Sequence, residues 1–270
     1  MKNLFSVQDK VIVITGAAGV LGTSMVHHFA EQGAKVVILD RNEEAGRRLE
    51  EAVKTEGGEV MFLYTDVLDK QVLEGNYTEI MARYGRIDVL INGAGGNMAG
   101  ATIAPDKTIF DLDIEAVRKV VDLNLFGIIL PTMTFTRAMI EQKQGSIINI
   151  SSESAIRPLT RVAGYGVAKA AVTNFTKYMC GELATKYGDG LRVNAIAPGF
   201  FITEQNRTLL LNPDGSYTER SKTILAHTPY GRFGEPSELL GTLQWLASDA
   251  SKFVSGTMTV IDGGFDAFSI

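Results

Sequence analysis

Seven short, β-branched apolar runs, most followed by a longer amphipathic stretch, leave this chain few folds to adopt. The runs are 10–15 (KVIVIT), 35–39 (KVVIL), 59–65 (EVMFLYT), 87–91 (IDVLI), 146–150 (SIINI), 192–197 (RVNAIA) and 257–261 (TMTVI). They are nearly continuously apolar, as strands buried on both faces must be. Helical patterns lie between them, near 20–32, 42–57, 70–85, 113–142, 163–187 and 236–248. Strand–helix alternation requires right-handed crossovers and a parallel sheet with helices on both faces. No repeat, low-complexity tract or Pro/Gly/Ser-rich linker divides the sequence, so 1–270 is expected to be one domain. The rhythm breaks once, at 200–235, where polar and turn residues including Asn212-Pro213-Asp214-Gly215 separate the last two strands. An insertion of that length at that place is expected to be a substrate lid.

The first strand runs into Thr15-Gly16-Ala17-Ala18-Gly19-Val20-Leu21-Gly22, and a helix follows. Glycines allow a tight turn and close approach of a pyrophosphate to backbone. The helix N-terminus then offers unpaired N–H groups and partial positive charge. A glycine-rich turn between a first apolar strand and a helix is the context that dinucleotide binding needs. The expected fold is therefore α/β, a single-domain, Rossmann-type, doubly wound, seven-stranded parallel sheet. Asp40 ends the second strand, where a carboxylate accepts hydrogen bonds from adenosine ribose hydroxyls and repels a 2′-phosphate. NAD is thus favoured over NADP, although Arg41 follows directly and can pair with a phosphate. Asp66 and Val67, after the third strand, are placed to touch adenine; Asp66 can equally cap its turn.

Composition excludes other classes. Net charge is −5 with acids and bases mixed, so there is no basic footprint for nucleic acid. No uninterrupted apolar run is long enough to span a membrane, and the first residues do not form a signal peptide. The single cysteine, Cys180, rules out an internal disulfide, and three histidines give no metal-ligand spacing. A cytoplasmic, metal-free protein acting on a small molecule is expected.

Chemistry enters in the segment SSESAIRPLTRVAGYGVAKAAV. Tyr165 and Lys169 are four residues apart, one helical turn, and so share a face. An ammonium beside a phenol stabilises the phenolate and lowers its pKa toward working pH. Such a tyrosine can exchange a proton with a substrate oxygen, and Ser152 upstream can hydrogen-bond that oxygen.

Together these features resemble the short-chain dehydrogenase/reductase family over nearly the whole length. Gly16 and Gly22 match the family's TGxxxGxG turn, while Val20 replaces its middle glycine and Gly19 comes one residue early. The family's NNAG reads here Asn92-Gly93-Ala94-Gly95. Asn124 in DLNLFG fits the family's catalytic asparagine and, with Ser152, Tyr165 and Lys169, completes a tetrad. Pro198, Gly199 and Thr203 fit the element that in the family holds the nicotinamide carboxamide. NGAGGN, RPLTR, APGFFITEQNR and AHTPYGRFGEP further resemble a bacterial subgroup described as D-mannonate oxidoreductases, or fructuronate reductases. The resemblance implies hydride exchange with NAD, Tyr165 as acid or base, and Lys169 both lowering the Tyr165 pKa and binding the nicotinamide ribose. It also implies an Asn124-held water relaying protons to Lys169, and a homo-tetramer packed through the helices near 113–142 and 163–187.

A sugar acid needs a carboxylate partner, and the arginine fork is suited to it. Arg157, Arg161 and Arg207 are the candidates, with Asn97 and Glu153 for hydroxyls. Arg161 is preferred to Arg157, being nearer Tyr165 with Pro158 turning the loop between them. Two competing readings remain: a reductase of another small ketone or a 3-oxoacyl thioester, and a non-catalytic dinucleotide-binding regulator. The regulator would be expected to have lost part of the tetrad, and all four residues are present.

Overall fold

The structure is a computed structural model that describes residues 3–203 and 206–268. Its strands are β1 (Val11–Thr15), β2 (Lys35–Asp40), β3 (Glu59–Tyr64), β4 (Val89–Asn92), β5 (Gly145–Ile150), β6 (Leu191–Pro198) and β7 (Met258–Ile261). They form one sheet in the order β3-β2-β1-β4-β5-β6-β7, with every neighbouring pair parallel. The helices are α1 (Val20–Glu31), α2 (Glu43–Thr55), α3 (Lys70–Tyr84), α4 (Ile114–Val121), α5 (Gly127–Gln142), α6 (Ala163–Tyr187), α7 (Arg207–Leu210), α8 (Glu219–Ala226) and α9 (Leu240–Ala247). All seven expected strands and all six expected helical regions are present, with ends shifted by a few residues.

Alternate side chains of each strand point to opposite faces, and the core accordingly divides in two. Ile12, Ile14, Val36 and Ile38 pack with Met25, Phe29, Leu49, Leu243 and Leu246 from α1, α2 and α9. Val11, Val13, Val37 and Leu39 pack with Leu73, Ile80, Phe135, Met139 and Leu183 from α3, α5 and α6. Burial on both faces explains why the strands lack polar alternation. The stretch 114–142 is long and apolar enough to cross a membrane by length and composition alone. More than half of its most apolar segment is buried, and it contacts α3, α6, β4 and β5 as a core helix does.

That stretch is not one regular helix. Asp122–Phe126 forms a π-helical turn between α4 and α5. Such a turn loosens the i−4 ladder. Asn124, inside it, donates from Nδ2 to the Val120 carbonyl at 2.8 Å.

The order of chain crossovers reverses between β1 and β4, since β1 is followed outward by β2 and β3 on one side and by β4 to β7 on the other. A crevice opens at the C-terminal ends of the strands at such a switch point, where α/β proteins place ligands. The segment 200–235 stands over the same edge. Its ends meet, with Gly234 N–H donating to Phe200 O at 2.9 Å and a bridge joining Phe201 to Gly234. Between them Leu210, Ile224 and Phe233 form a small core of their own.

Candidate active site

At the first turn, Gly16 has φ +67° and a Cβ there would lie 2.8 Å from Ala94 Cα. Only glycine suits both the left-handed backbone and that approach. Gly19 is the N-cap of α1 and supplies no side-chain cap, whereas Asn42, Asp69 and Asp113 cap α2, α3 and α4 with their side chains. No acid stands in the first turn of α1 either. Its N–H groups at Val20, Leu21 and Gly22 thus face the crevice edge with the helix's positive end, as an anion site requires. Val20, where the family has a glycine, begins the helix.

Asp40 lies beside this turn. Its Oδ2 accepts from Ala18 N–H and its Oδ1 from Asn42 N–H, both at 2.9 Å. Two amides therefore orient the carboxylate at the end of β2, next to exposed Arg41. Asp66 accepts from Leu68 N–H at 2.9 Å and so caps its own turn; Val67 is buried beneath it.

Two residues expected on the cofactor surface are internal instead. Thr15 is fully buried, and its hydroxyl accepts from the N–H groups of Gly93 and Ala94, both at 3.1 Å. Asn92 is also fully buried and donates to Thr132 and Asn149, both at 2.9 Å. Both side chains shape the crevice floor, leaving the backbone of Gly93, Ala94 and Gly95 at its surface. Across the crevice, β6 ends at Pro198, Gly199 N–H donates to Ile261 O at 2.9 Å, and Asn206 Oδ1 accepts from Thr203 N–H at 2.8 Å.

The tetrad residues converge at the end of β5. Tyr165, in the first turn of α6, lies beside Ser152 and packs on the cluster of Ala101, Ala116 and Val120. Lys169 is buried, lies 5.6 Å from the Tyr165 ring centre and donates to Ile150 O at 2.8 Å. Asn124 grips Gly96 from both sides, accepting from its N–H and donating to its carbonyl. Gly95 fits between them: a Cβ there would lie 2.7 Å from Asn124 Oδ1 and 3.3 Å from Lys169 Nζ.

Electrostatics depart from the sequence expectation in one respect. Burial pushes the Tyr165 phenol up, and the neighbouring Ser152 hydroxyl offsets this only partly. Burial lowers Lys169 itself to about 8. At one pKa unit per 1.36 kcal/mol, keeping it charged at pH 7 costs about 3 kcal/mol.

Glu153 is buried, and among the described residues neither carboxylate oxygen has a hydrogen-bond partner. Burial first, then Asp266 and Asp262, push it up to about 7 against the opposing pull of Arg157. A raised acid contributes stability that is full below its unfolded value near 4.5 and is lost as pH rises through about 7. The loss amounts to at most about 3 kcal/mol. Glu153→Gln should therefore match wild type in Tm at pH 5 and exceed it by roughly 5–10 °C at pH 8.5. Thermal melts at both pH values check this; an equal difference at the two would refute it.

The remaining candidates part company. Arg157 ion-pairs with Asp266 of the C-terminal segment, Nε to Oδ1 at 3.1 Å. Arg207 is exposed at the start of α7. Asn97 donates to Thr102 Oγ1 at 2.9 Å, stiffening the loop after β4. Arg161 has φ +77°, a left-handed conformation that is rare for a side chain of this size. Sequence reasoning missed Gly96, the acids Asp262 and Asp266, and Arg220 of α8. An asparagine within an apolar helix was a weak signal for the π-helical turn; nothing local signalled the others. A cavity of about 420 Å³ at the opposite edge of the sheet, lined by Lys10, Asp88, Lys143 and Arg192, holds none of these groups.

Comparison with known proteins agrees with this geometry. Residues 10–213 match the short chain dehydrogenase family. The uncharacterized oxidoreductase UxuB of Bacillus subtilis is 42% identical, with 96% of each chain covered. A 3-oxoacyl-[acyl-carrier-protein] reductase of Thermotoga maritima is 35% identical over 95% of this chain and 98% of its own. Among solved structures, a Haemophilus influenzae protein provisionally named a D-mannonate oxidoreductase, with bound NAD, superposes with TM-score 0.91 at 39% identity. That match covers 99% of both chains.

Proposed function

Because this chain belongs to the short-chain dehydrogenase family, we propose that it is an NAD(H)-dependent oxidoreductase interconverting a ketone and a secondary alcohol on a sugar acid of the D-fructuronate/D-mannonate type. The observation that carries the chemistry is the convergence of Tyr165, Ser152 and buried Lys169 at the end of β5, with Lys169 5.6 Å from the Tyr165 ring centre. The substrate class is supported by the likeness to the Haemophilus protein.

The crevice fits a dinucleotide: the Gly16 turn admits close backbone approach, the uncapped α1 N-terminus suits a pyrophosphate, and Asp40 suits ribose hydroxyls. When bound, the nicotinamide exchanges hydride with the carbinol carbon. Gly19, Val20, Leu21 and Gly22 would hold its phosphates, and Gly93, Ala94, Gly95, Pro198, Gly199 and Thr203 would hold its nicotinamide end. Tyr165 gives its proton to the carbonyl oxygen in reduction and takes it back in oxidation. Ser152 donates a hydrogen bond to the same oxygen, stabilising charge that develops there. Lys169, charged at pH 7, favours the phenolate by its proximity to the ring and reaches toward the nicotinamide ribose. Asn124 fixes the Gly95–Gly96 backbone against both and stands where a relaying water would connect to Lys169. The segment 200–235 acts as the substrate lid. Exposed Met133, Val167 and Tyr178 on α5 and α6 support packing of those helices into a homo-tetramer.

The test is steady-state turnover by the purified protein with NADH against D-fructuronate, D-tagaturonate, 5-keto-D-gluconate and an acetoacetyl thioester. A kcat/KM at least roughly tenfold higher for one of the sugar acids than for the thioester is expected. Preference for the thioester would instead establish the second reading, favoured by the Thermotoga relative. No turnover of any of the four would refute both.

A further inference from the structure

Arg220 hydrogen-bonds Thr160, the neighbour of Arg161, and neither arginine is ion-paired among the described residues. Arg161 sits in the loop between Ser152 and Tyr165. Its carbonyl accepts from Ile103 N–H at 3.0 Å, and its Nε donates to Ile103 O at 2.7 Å. This two-way clasp joins the loop to the segment following β4 and holds Arg161 in its left-handed conformation. Residues kept in sparsely populated backbone regions by surrounding contacts cluster at ligand sites.

Arg220 comes from α8, in the insertion over the crevice. Its guanidinium reaches Thr160, donating to Oγ1 at 3.3 Å and to the carbonyl at 3.4 Å. Burial lowers its pKa, and the charge of Arg161 lowers it further. The two cations are therefore close enough to repel each other. Neither belongs to an ion pair among the described residues, although nearby Arg157 is paired with Asp266, and Arg232 of the same insertion is paired with Glu238. Two half-buried guanidiniums on neighbouring residues, neither with a counter-charge among the described residues, are unfavourable as a purely structural arrangement. An anion placed between them removes the repulsion and receives hydrogen bonds from two donor forks.

We propose that Arg161 and Arg220 together bind the carboxylate of the substrate, so that the insertion closes on the substrate through α8. The proposal rests on the sugar-acid reading for the identity of the anion. Arg157 is then a structural residue tying the catalytic loop to the C-terminal segment, and Arg207 is a solvated side chain. Arg220 positions the substrate and takes no part in proton transfer.

Two measurements test this. Arg220→Gln removes the charge and keeps a polar side chain; Arg161→Gly removes the guanidinium while suiting the left-handed backbone, so both variants should fold. In kinetics with NADH, each should lower the ratio of kcat/KM for D-fructuronate over D-fructose at least roughly tenfold, mainly through KM. The double variant should lose less than the product of the single losses, since either change alone breaks the shared site. In binding, D-gluconate should raise the Tm of the wild-type protein and D-glucitol, its uncharged counterpart, should not; in Arg220→Gln the gluconate effect should disappear. A selectivity ratio within twofold of wild type in both variants, or gluconate stabilisation that survives Arg220→Gln, overturns the proposal. If the wild-type protein reduces no keto sugar acid yet gluconate still stabilises it through Arg220, the anion site stands and only the substrate reading fails.

Discussion

Tyr165→Phe is expected to reduce kcat by at least ~10²-fold, the lower range for loss of a positioned general acid–base. The substitution deletes one hydroxyl and keeps the ring that packs on Ala101, Ala116 and Val120. It leaves Ser152 able to hydrogen-bond the substrate oxygen but removes the hydroxyl that transfers the proton. Nothing on the Asp40 and Gly16 side of the crevice changes, so NADH affinity should remain close to wild type. The loss should therefore fall on kcat and on kcat/KM alike, as for an interaction made in the transition state. Steady-state kinetics with a fluorescence titration of NADH separates the two quantities. A variant keeping most of its turnover would remove Tyr165 from the mechanism. A variant that lost NADH binding as well would show that the ring, not the proton, was being measured.

NADH should be preferred to NADPH by roughly tenfold or more in kcat/KM, about 1.4 kcal/mol. The reason is the Asp40 carboxylate, which two backbone amides hold at the end of β2. A 2′-phosphate placed where the ribose hydroxyl belongs would meet that fixed negative charge. At a few ångströms and intermediate dielectric, the repulsion exceeds this amount. The carboxylate cannot readily turn away, because doing so leaves Ala18 N–H and Asn42 N–H without their acceptor. Asp40→Ala should narrow the preference, with exposed Arg41 then able to reach the phosphate. Equal kcat/KM for the two cofactors in the native enzyme would refute the role of Asp40 and assign cofactor choice to Arg41.

The arginines show where sequence reasoning stops. Preference for Arg161 over Arg157 rested on distance along the chain and on Pro158. In the structure Arg157 pairs with Asp266, 109 residues away, a partner no local pattern could indicate. Arg220 lies in a polar stretch that reads as an ordinary solvated helix. Only docking of α8 on Thr160, 60 residues away, brings it to Arg161. Likewise, the spacing of Tyr165 and Lys169 predicted a shared face, and they do share one. It could not predict that the Ile150 carbonyl takes the ammonium or that burial raises the phenol.

By itself the sequence determined the seven strands, their helices, the doubly wound class and the residues at the strand ends. These follow from period, β-branching and glycine placement, which act between near neighbours and survive reading in one dimension. The tertiary structure alone decided which of those residues face the crevice and which lie beneath it. Thr15 and Asn92 occupy cofactor-motif positions, yet their side chains turn inward, Thr15 accepting from the Gly93 and Ala94 amides and Asn92 donating to Thr132 of α5 and Asn149 of β5, since buried polar groups are mostly held by hydrogen bonds within the core. The π-helical turn at Asn124, the burial of the Glu153 carboxyl and the approach of Arg220 to the Arg161 loop arise in the same way. Each is set by what packing brings together across the sheet's C-terminal edge, and that is a property of distance in space rather than along the chain.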